Sequence, residues 1–409
     1  MKKRLGISAN IAVGVPCVLL AACGSSSPAS GTAGTGGAGA GGAGSSGGVL
    51  TGATSVSRGI VHACAVLQSG GVVCWGDNTY GELGDGTTAA SLVPVAVPGV
   101  RDATTVSAAP NSGNQRGDGS GSMVHTCAAL KDGTVKCWGG NIFGQLGDGT
   151  RTNSLVPVTV TGLSGAIAVS SGTYHTCALL ADGTVRCWGD NLDGELGNGS
   201  TVSSSVPVMV SGLTAATMVT AVHDGPDAHS CALIADGTIK CWGVGGALGN
   251  GTSGNALVPV TVNGITGATG VSGVAGHTCV VTALGTVWCW GYGGNGELGI
   301  GSTASSGTPV MVSGLTSAIA VSSTGGGVCA LLLGGSIECW GDNTFGELGS
   351  GSTANPRTPV PVSGITEATM VSAGGCAVLT GGAVECWGAL LGNGSATASF
   401  VPVPVAAPQ

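Results

Sequence analysis

Short apolar runs of five or six residues, separated by clusters of Gly, Asp, Asn and Ser, recur along the chain from residue 49 onward. Near the middle they read Leu155-Val-Pro-Val-Thr-Val160, Ala166-Ile-Ala-Val-Ser170, His175-Thr-Cys-Ala-Leu-Leu180 and Thr184-Val-Arg-Cys-Trp-Gly189. Ala181-Asp182-Gly183 separates the last two, and Asp190-Asn191 and Gly194-Glu-Leu-Gly-Asn-Gly199 follow. β-Branched runs bounded by turn residues predict strands, four to a unit. No run has the 3.6-residue spacing of an amphipathic helix. The unit occurs seven times, marked by Trp75, Trp138, Trp188, Trp242, Trp290, Trp340 and Trp387 at intervals of 47 to 63 residues. That repetition predicts an all-β chain folded as a seven-bladed β-propeller of four-stranded antiparallel blades over residues 49–409.

The two ends of the repeat region look complementary. Leu50-Thr-Gly-Ala-Thr-Ser-Val-Ser57 matches the second run of the unit but has no first run before it. Phe400-Val-Pro-Val-Pro-Val405 matches a first run with nothing after it. The expectation is a clasp, one blade completed by both chain ends.

Ahead of the repeats, Lys2, Lys3 and Arg4 precede an apolar stretch over 11–22 that Gly14 and Pro16 interrupt. It is too short to span a bilayer and has the form of a secretory signal. Leu20-Ala21-Ala22-Cys23 resembles the lipobox of bacterial lipoproteins, which implies cleavage after residue 22 and a diacylglycerol on Cys23. Residues 24–48 are almost entirely Gly, Ser, Ala and Thr, a flexible tether with a typical reach of ~25–30 Å. The expected organisation is a signal at 1–22, lipidated cysteine and tether at 23–48, and the propeller. The implied location is the bacterial cell envelope, periplasmic or cell-surface, with the membrane met only through the lipid.

Composition narrows the classes further. Only 32 of 409 residues are charged and the net charge is −8, so there is no basic footprint for nucleic acid. Of 16 cysteines, Cys17 and Cys23 belong to the leader, and fourteen remain. They form pairs at one constant spacing of ten: Cys64 with Cys74, Cys127 with Cys137, Cys177 with Cys187, Cys231 with Cys241, Cys279 with Cys289, Cys329 with Cys339 and Cys376 with Cys386. Zinc sites place two to four residues between paired cysteines, whereas an even count in an exported chain reads as disulfides. A three-residue hairpin loop with glycine last sets Leu179 opposite Val185, and therefore Cys177 opposite Cys187. Opposed Cα atoms lie ~4.5–5.5 Å apart, within disulfide reach.

His62, His125, His175, His229 and His277 each precede a cysteine by two, while Gly327 and Gly374 hold that place in the last two copies. Five histidines at one structural position could form a metal ring. The incomplete set favours buried imidazoles bonded to backbone carbonyls of adjoining blades, so no metal or cofactor is assigned. The Trp-Gly pairs read as packing between blades.

The phrases His-Thr-Cys-Ala-Leu, Asp-Gly-Thr-Val-Xaa-Cys-Trp-Gly and Gly-Glu/Gln-Leu-Gly-Xaa-Gly-Thr resemble the regulator-of-chromosome-condensation repeat family, from about residue 49 to 406. The resemblance implies a seven-bladed propeller. It also implies function by binding: the family includes a nuclear exchange factor for a small GTPase, a role unsuited to an exported acidic chain, and members that act purely by binding a protein.

Comparing the copies with one another locates their differences. The step from the Leu of Gly-Xaa-Leu-Gly to the next second-run Val is always 23, as from Leu83 to Val106, and that from first cysteine to Trp is always 11. Length varies in two slots only. From second-run Val to the histidine position the step is usually 6, but 19 in copy two, 10 in copy four and 3 in copy seven; from Trp to Leu it is 8, 6 in copy four and 4 in copy seven. In an up-and-down blade both slots open on one face, and variable loops on a rigid frame are where binding resides. Thirteen of the 20 carboxylates fall there. Most are repeat-encoded turn residues that bond local backbone. Asp118, Asp224 and Asp227 lie in insertions, as does Arg116 of the tripeptide Arg116-Gly117-Asp118, which matches an integrin-binding motif; these four are the candidate partner-binding residues. The repeats contain no Gly-Xaa-Ser-Xaa-Gly elbow, His-Glu-Xaa-Xaa-His or P-loop, so no catalytic residue is assigned. The expectation is a monomeric, non-enzymatic envelope lipoprotein that binds a protein or envelope polymer through this face. The alternative is a carbohydrate-active or ion-binding propeller that uses its central channel.

Overall fold

Each repeat becomes one antiparallel sheet whose four strands are hydrogen-bonded in the order in which they occur. The computed structural model describes residues 11–12, 15–16, 48–110, 124–222, 228–274 and 276–409. In the third blade the strands are Ala166–Ser171, His175–Leu180, Val185–Gly189 and Ser204–Met209, from the channel to the rim. Seven such sheets surround the axis, making the all-β seven-bladed propeller that the repeat predicts. A separate two-stranded ladder joins Ile11–Ala12 to Val15–Pro16. The helix among the described residues is a single 3-10 turn at Gly245–Ala247, and none is long and apolar enough to cross a membrane.

The hairpin between second and third strands has the register that its three-residue turn dictates. Leu179 pairs with Val185 and Cys177 with Cys187. All seven expected disulfides are present, each across this hairpin. They join Cys64 to Cys74, Cys127 to Cys137, Cys177 to Cys187, Cys231 to Cys241, Cys279 to Cys289, Cys329 to Cys339 and Cys376 to Cys386. Their Cα atoms lie 4.0–4.1 Å apart, closer than the spacing expected of an ordinary opposed pair.

One expectation is corrected. The Leu-Val-Pro-Val run is not the first strand of a blade but the outer strand of the blade before it: Met209 pairs with Arg186 and Val208 with Cys187. Blade 1 is therefore complete in itself, as Ala53–Arg58, His62–Leu67, Val72–Gly76 and Ser91–Ala96. Blade 7 is likewise complete, as Ala368–Ser372, Cys376–Leu379, Val384–Gly388 and Ser399–Pro404. No blade is shared by the two ends. They meet instead beside blade 7, where Val49 bridges Ala406 and the Leu50 N–H donates to the Val405 carbonyl at 2.9 Å. The constant step from Leu to Val runs across an outer strand and into the next blade, so it suits either phase; periodicity alone does not mark where a unit begins.

The outer strands carry Pro94, Pro157, Pro207, Pro259, Pro309, Pro361, Pro402 and Pro404. Val208 pairs inward with Cys187, so the neighbouring Pro207 turns its nitrogen to the open edge, the position where a strand tolerates proline.

Blades cohere through tryptophan. The indole of each of the seven repeat tryptophans is fully buried, which removes roughly 200 Å² from water and is worth on the order of 5 kcal/mol. The Gly of Gly-Xaa-Leu-Gly in the preceding blade lies flat against it. A Cβ on Gly197, whose φ is +63°, would stand 2.7 Å from Trp242 Nε1, and Gly392 of blade 7 meets Trp75 of blade 1 in the same way at 2.8 Å. Only glycine fits, because the backbone itself is the packing surface.

Candidate interaction face

Strand direction alternates within a blade, so the first-to-second loop and the third-to-fourth connection emerge on one side. Both variable slots of the sequence lie there. The connection from Gly76 to Ser91 is a built loop rather than slack chain. Buried Asn78 accepts from Leu83 N–H at 2.9 Å and donates to the Thr87 and Ala89 carbonyls, each at 3.1 Å. Asn141, Asn191 and Asn343 hold their loops in the same way. Glu82 accepts from Tyr80 N–H, Glu195 from Asp193 N–H and Glu347 from Phe345 N–H, at 2.8–2.9 Å. Burial pushes the Glu82 carboxyl up to about 7 and, with Asp190 and Asp193 nearby, Glu195 up to about 8. The repeat-encoded acids of this face are thus loop struts, as their recurrence indicates.

The histidines do not form a metal ring; among the described residues no group of three or more potential ligands comes together. Four of the imidazoles, those of His62, His125, His175 and His229, point at the next blade, and there each meets a hydroxyl and not the expected carbonyl. His62 Nε2 lies 2.8 Å from Thr126 Oγ1, which donates to the Glu82 carbonyl at 2.9 Å; the imidazole N–H is therefore the donor. Trp138 Nε1 donates to the same carbonyl at 2.8 Å. The arrangement recurs as His125 to Thr176 and His175 to Ser230, and His229 meets Thr278 at 2.7 Å. Val328, Gly375 and Ala63 stand where the hydroxyls of blades 6, 7 and 1 would be. Burial lowers His62 to about 4, and His125 and His175 to about 3.

Two features lay unread in the sequence. Each inner strand ends its valine with a hydroxyl residue: Ser57, Ser107, Ser170, Thr220, Ser272, Ser322 and Ser372. Six of these accept a backbone N–H from the next blade at 2.9–3.0 Å, from Ala108, Ser171, Ala221, Ser323, Ala373 and Arg58. They ring the central channel, a cavity of about 110 Å³. The repeated Val-Ser/Thr pair was the available signal. The second feature is Arg58, buried at the junction of blades 7 and 1. Its Nη1 donates to the Gly375 carbonyl at 3.0 Å and the Trp387 carbonyl at 2.5 Å. Burial lowers its pKa to about 10, against the pull of Glu347.

The face exposes Leu192 at 61%, Phe345 at 65% and Tyr292 at 48%, beside half-buried or exposed acids such as Asp85, Asp148 and Asp342. Arg116, Asp118, Asp224 and Asp227 lie outside the described residues, as does Cys23 with most of its signal and tether. The opposite face carries the exposed pair Lys131–Asp102, 3.6 Å apart, of the kind that contributes little.

The family model described as regulator of chromosome condensation (RCC1) repeat matches residues 69–111, 132–179, 182–233, 285–332 and 335–378, and a second model of that repeat matches 54–82 and 166–195. The ultraviolet-B receptor UVR8 of Arabidopsis thaliana is 36% identical over 113 residues, 27% of this chain and 22% of that protein. The human E3 ubiquitin-protein ligase HERC2 is 32% identical over 114 residues, 28% of this chain and 2% of the ligase. The chain thus spans less than a quarter of either relative. Among solved structures, Prp20p from Saccharomyces cerevisiae, studied with its binding to Gsp1p and histones, superposes with a TM-score of 0.63 at 18% identity over 76% of each chain. Human WBSCR16 gives 0.62 at 23% identity, over 76% of this chain and 81% of its own. At these identities the likeness is one of fold.

Proposed function

The chain belongs to the regulator of chromosome condensation repeat family, and from that premise we propose that it is a non-enzymatic scaffold that binds another protein through the variable-loop face. The observation that carries this reading is the confinement of all length variation to one side of a frame cross-braced by seven disulfides and the asparagine-held loops. Exposed Leu192, Tyr292 and Phe345 amid acids on that side suit a protein partner, since aromatic side chains are favoured at interfaces. The binding of Gsp1p and histones named for Prp20p is of the same kind. The hydroxyl-ringed channel, well below the ~300 Å³ at which small-molecule pockets begin, gives a carbohydrate reading less support.

We further propose that the protein is an exported envelope lipoprotein, on the strength of Leu20-Ala21-Ala22-Cys23 and the leader before it. Capture of envelope and secreted proteins on the purified chain tests the first proposal. Loss of a captured partner when residues 111–123 are removed is the expected result. Charge reversal at Asp118, Asp224 and Asp227 should slow association, most at low salt. A partner indifferent to these changes and sensitive to Arg101 or Lys131 would move the site to the other face. Fatty-acid labelling that disappears in Cys23→Ser tests the second proposal; labelling unchanged in that variant would end it.

A further inference from the structure

The histidine relay is missing where Gly327 and Gly374 replace imidazoles, and there the interaction face opens into a cavity of about 240 Å³. Its lining includes both of these glycines, Asp342, Glu347, Ile60 and Phe345. Ile60 and Phe345 are exposed and form the mouth; buried Arg58 closes the far end. Arg58 is committed to two backbone carbonyls, and Glu347 offsets its charge. Asp342 is the remaining charge. Its Oδ1 accepts from Thr344 N–H at 3.1 Å and Thr344 Oγ1 at 2.6 Å, which fixes the carboxylate in place, and it meets no cation among the described residues.

We propose that this cavity receives one arginine side chain from a partner protein. Its volume is below the ~300–1,000 Å³ of pockets that enclose drug-sized ligands, so it suits a single side chain. An apolar mouth suits a methylene stem, an aromatic ring at that mouth attracts a guanidinium, and a fixed carboxylate accepts its N–H groups. The proposal rests on the reading of this face as the protein-binding one and supplies that reading with an anchor point.

The test is a titration of the purified full chain with acetyl-Gly-Gly-Arg-Gly-Gly-amide, followed by saturation-transfer NMR, beside the same peptide carrying citrulline. Saturable binding of the arginine peptide is expected, weakened about tenfold by the loss of charge in citrulline, the equivalent of one charge-assisted hydrogen bond. Asp342→Asn keeps the Thr344 contacts and Phe345→Ala alters an exposed ring, so both variants should fold and each should weaken the arginine peptide. Gly327→His restores the side chain found in five other blades and should abolish binding with the melting temperature retained. Equal binding of the two peptides, or arginine binding unmoved by both Asp342→Asn and Phe345→Ala, overturns the proposal. The titration needs no natural partner. Its failure with partner capture intact would remove the anchor alone, whereas loss of partner capture with peptide binding intact would remove the scaffold reading.

Discussion

His62, His125 and His175, each two residues before a cysteine, are held neutral because the loss of water outweighs what opposes it, such as the pull of Asp77 on His62. His62, His125 and His175 fall from 6.5 to about 4, 3 and 3. The unfolded chain protonates these rings near 6.5 and the folded one does not, so their stabilising effect is whole above 6.5 and disappears as pH falls toward 3–4. Glu82 and Glu195 act in the opposite sense. Raised by burial from 4.5 to about 7 and 8, they favour the folded state below 4.5 and lose that effect as pH rises through 7–8. Calorimetry across pH should therefore find the highest melting temperature at about pH 6, where the rising limb of three histidines gives way to the falling limb of two glutamates. Glu195→Gln should shallow the alkaline limb, since Gln145 already accepts the corresponding N–H, from Phe143, at 3.0 Å. A melting temperature level from weakly acid to weakly alkaline pH would contradict this account.

At the scale of the element, the loop of one blade is the seat for the tryptophan of the next. Gly197→Ala would push a methyl group into the Trp242 indole at a positive φ. We expect a loss of about 2–4 kcal/mol in urea unfolding, against under about 0.5 kcal/mol for alanine at Gly212, which has open space around it but shares the positive φ, after the backbone term of roughly 1 kcal/mol common to both is subtracted. Much at this scale was legible in advance. Ala181-Asp182-Gly183 dictated the hairpin register, and the register dictated the disulfides. The strand phase was not, because a cyclic pattern looks the same from any starting run and only pairing shows that Val158 belongs with Cys137 rather than with the strand Ala166–Ser171. Nor was the hydroxyl at Thr126 legible as the partner of His62, since the two are 64 residues apart and joined only by the stacking of blades. The insertions holding Arg116, Asp118, Asp224 and Asp227 are visible in the sequence, but their side-chain positions depend on loop conformation that no repeat encodes.

For the whole molecule the decisive question is how a ring of repeats closes. At the last junction Gly374 and Ala63 supply neither imidazole nor hydroxyl, and Arg58 spans the gap to blade 7. Replacing it by leucine would strand two carbonyls and leave Glu347 without its counter-charge, so Arg58→Leu should cost about 3–5 kcal/mol in chemical denaturation. The exposed Arg101→Leu should change stability by less than about 0.5 kcal/mol; similar losses in the two variants would show that Arg58 is not the closing clamp.

The prolines of the rim have a consequence for how copies of this chain meet. A disc with seven outward sheet edges is, in principle, a seven-valent monomer, and each edge is a template for another strand. A chain with 8% charged residues has little electrostatic repulsion with which to keep such particles apart. Proline lowers that valence by removing a donor from every edge, at positions where the blade's own ladder does not need it. Pro207→Val, on the outer strand Ser204–Met209, would restore one such donor. Sedimentation should then reveal concentration-dependent pairs where the parent chain runs as a single species. Colloidal behaviour of the whole particle would thus turn on one or two ring nitrogens per blade.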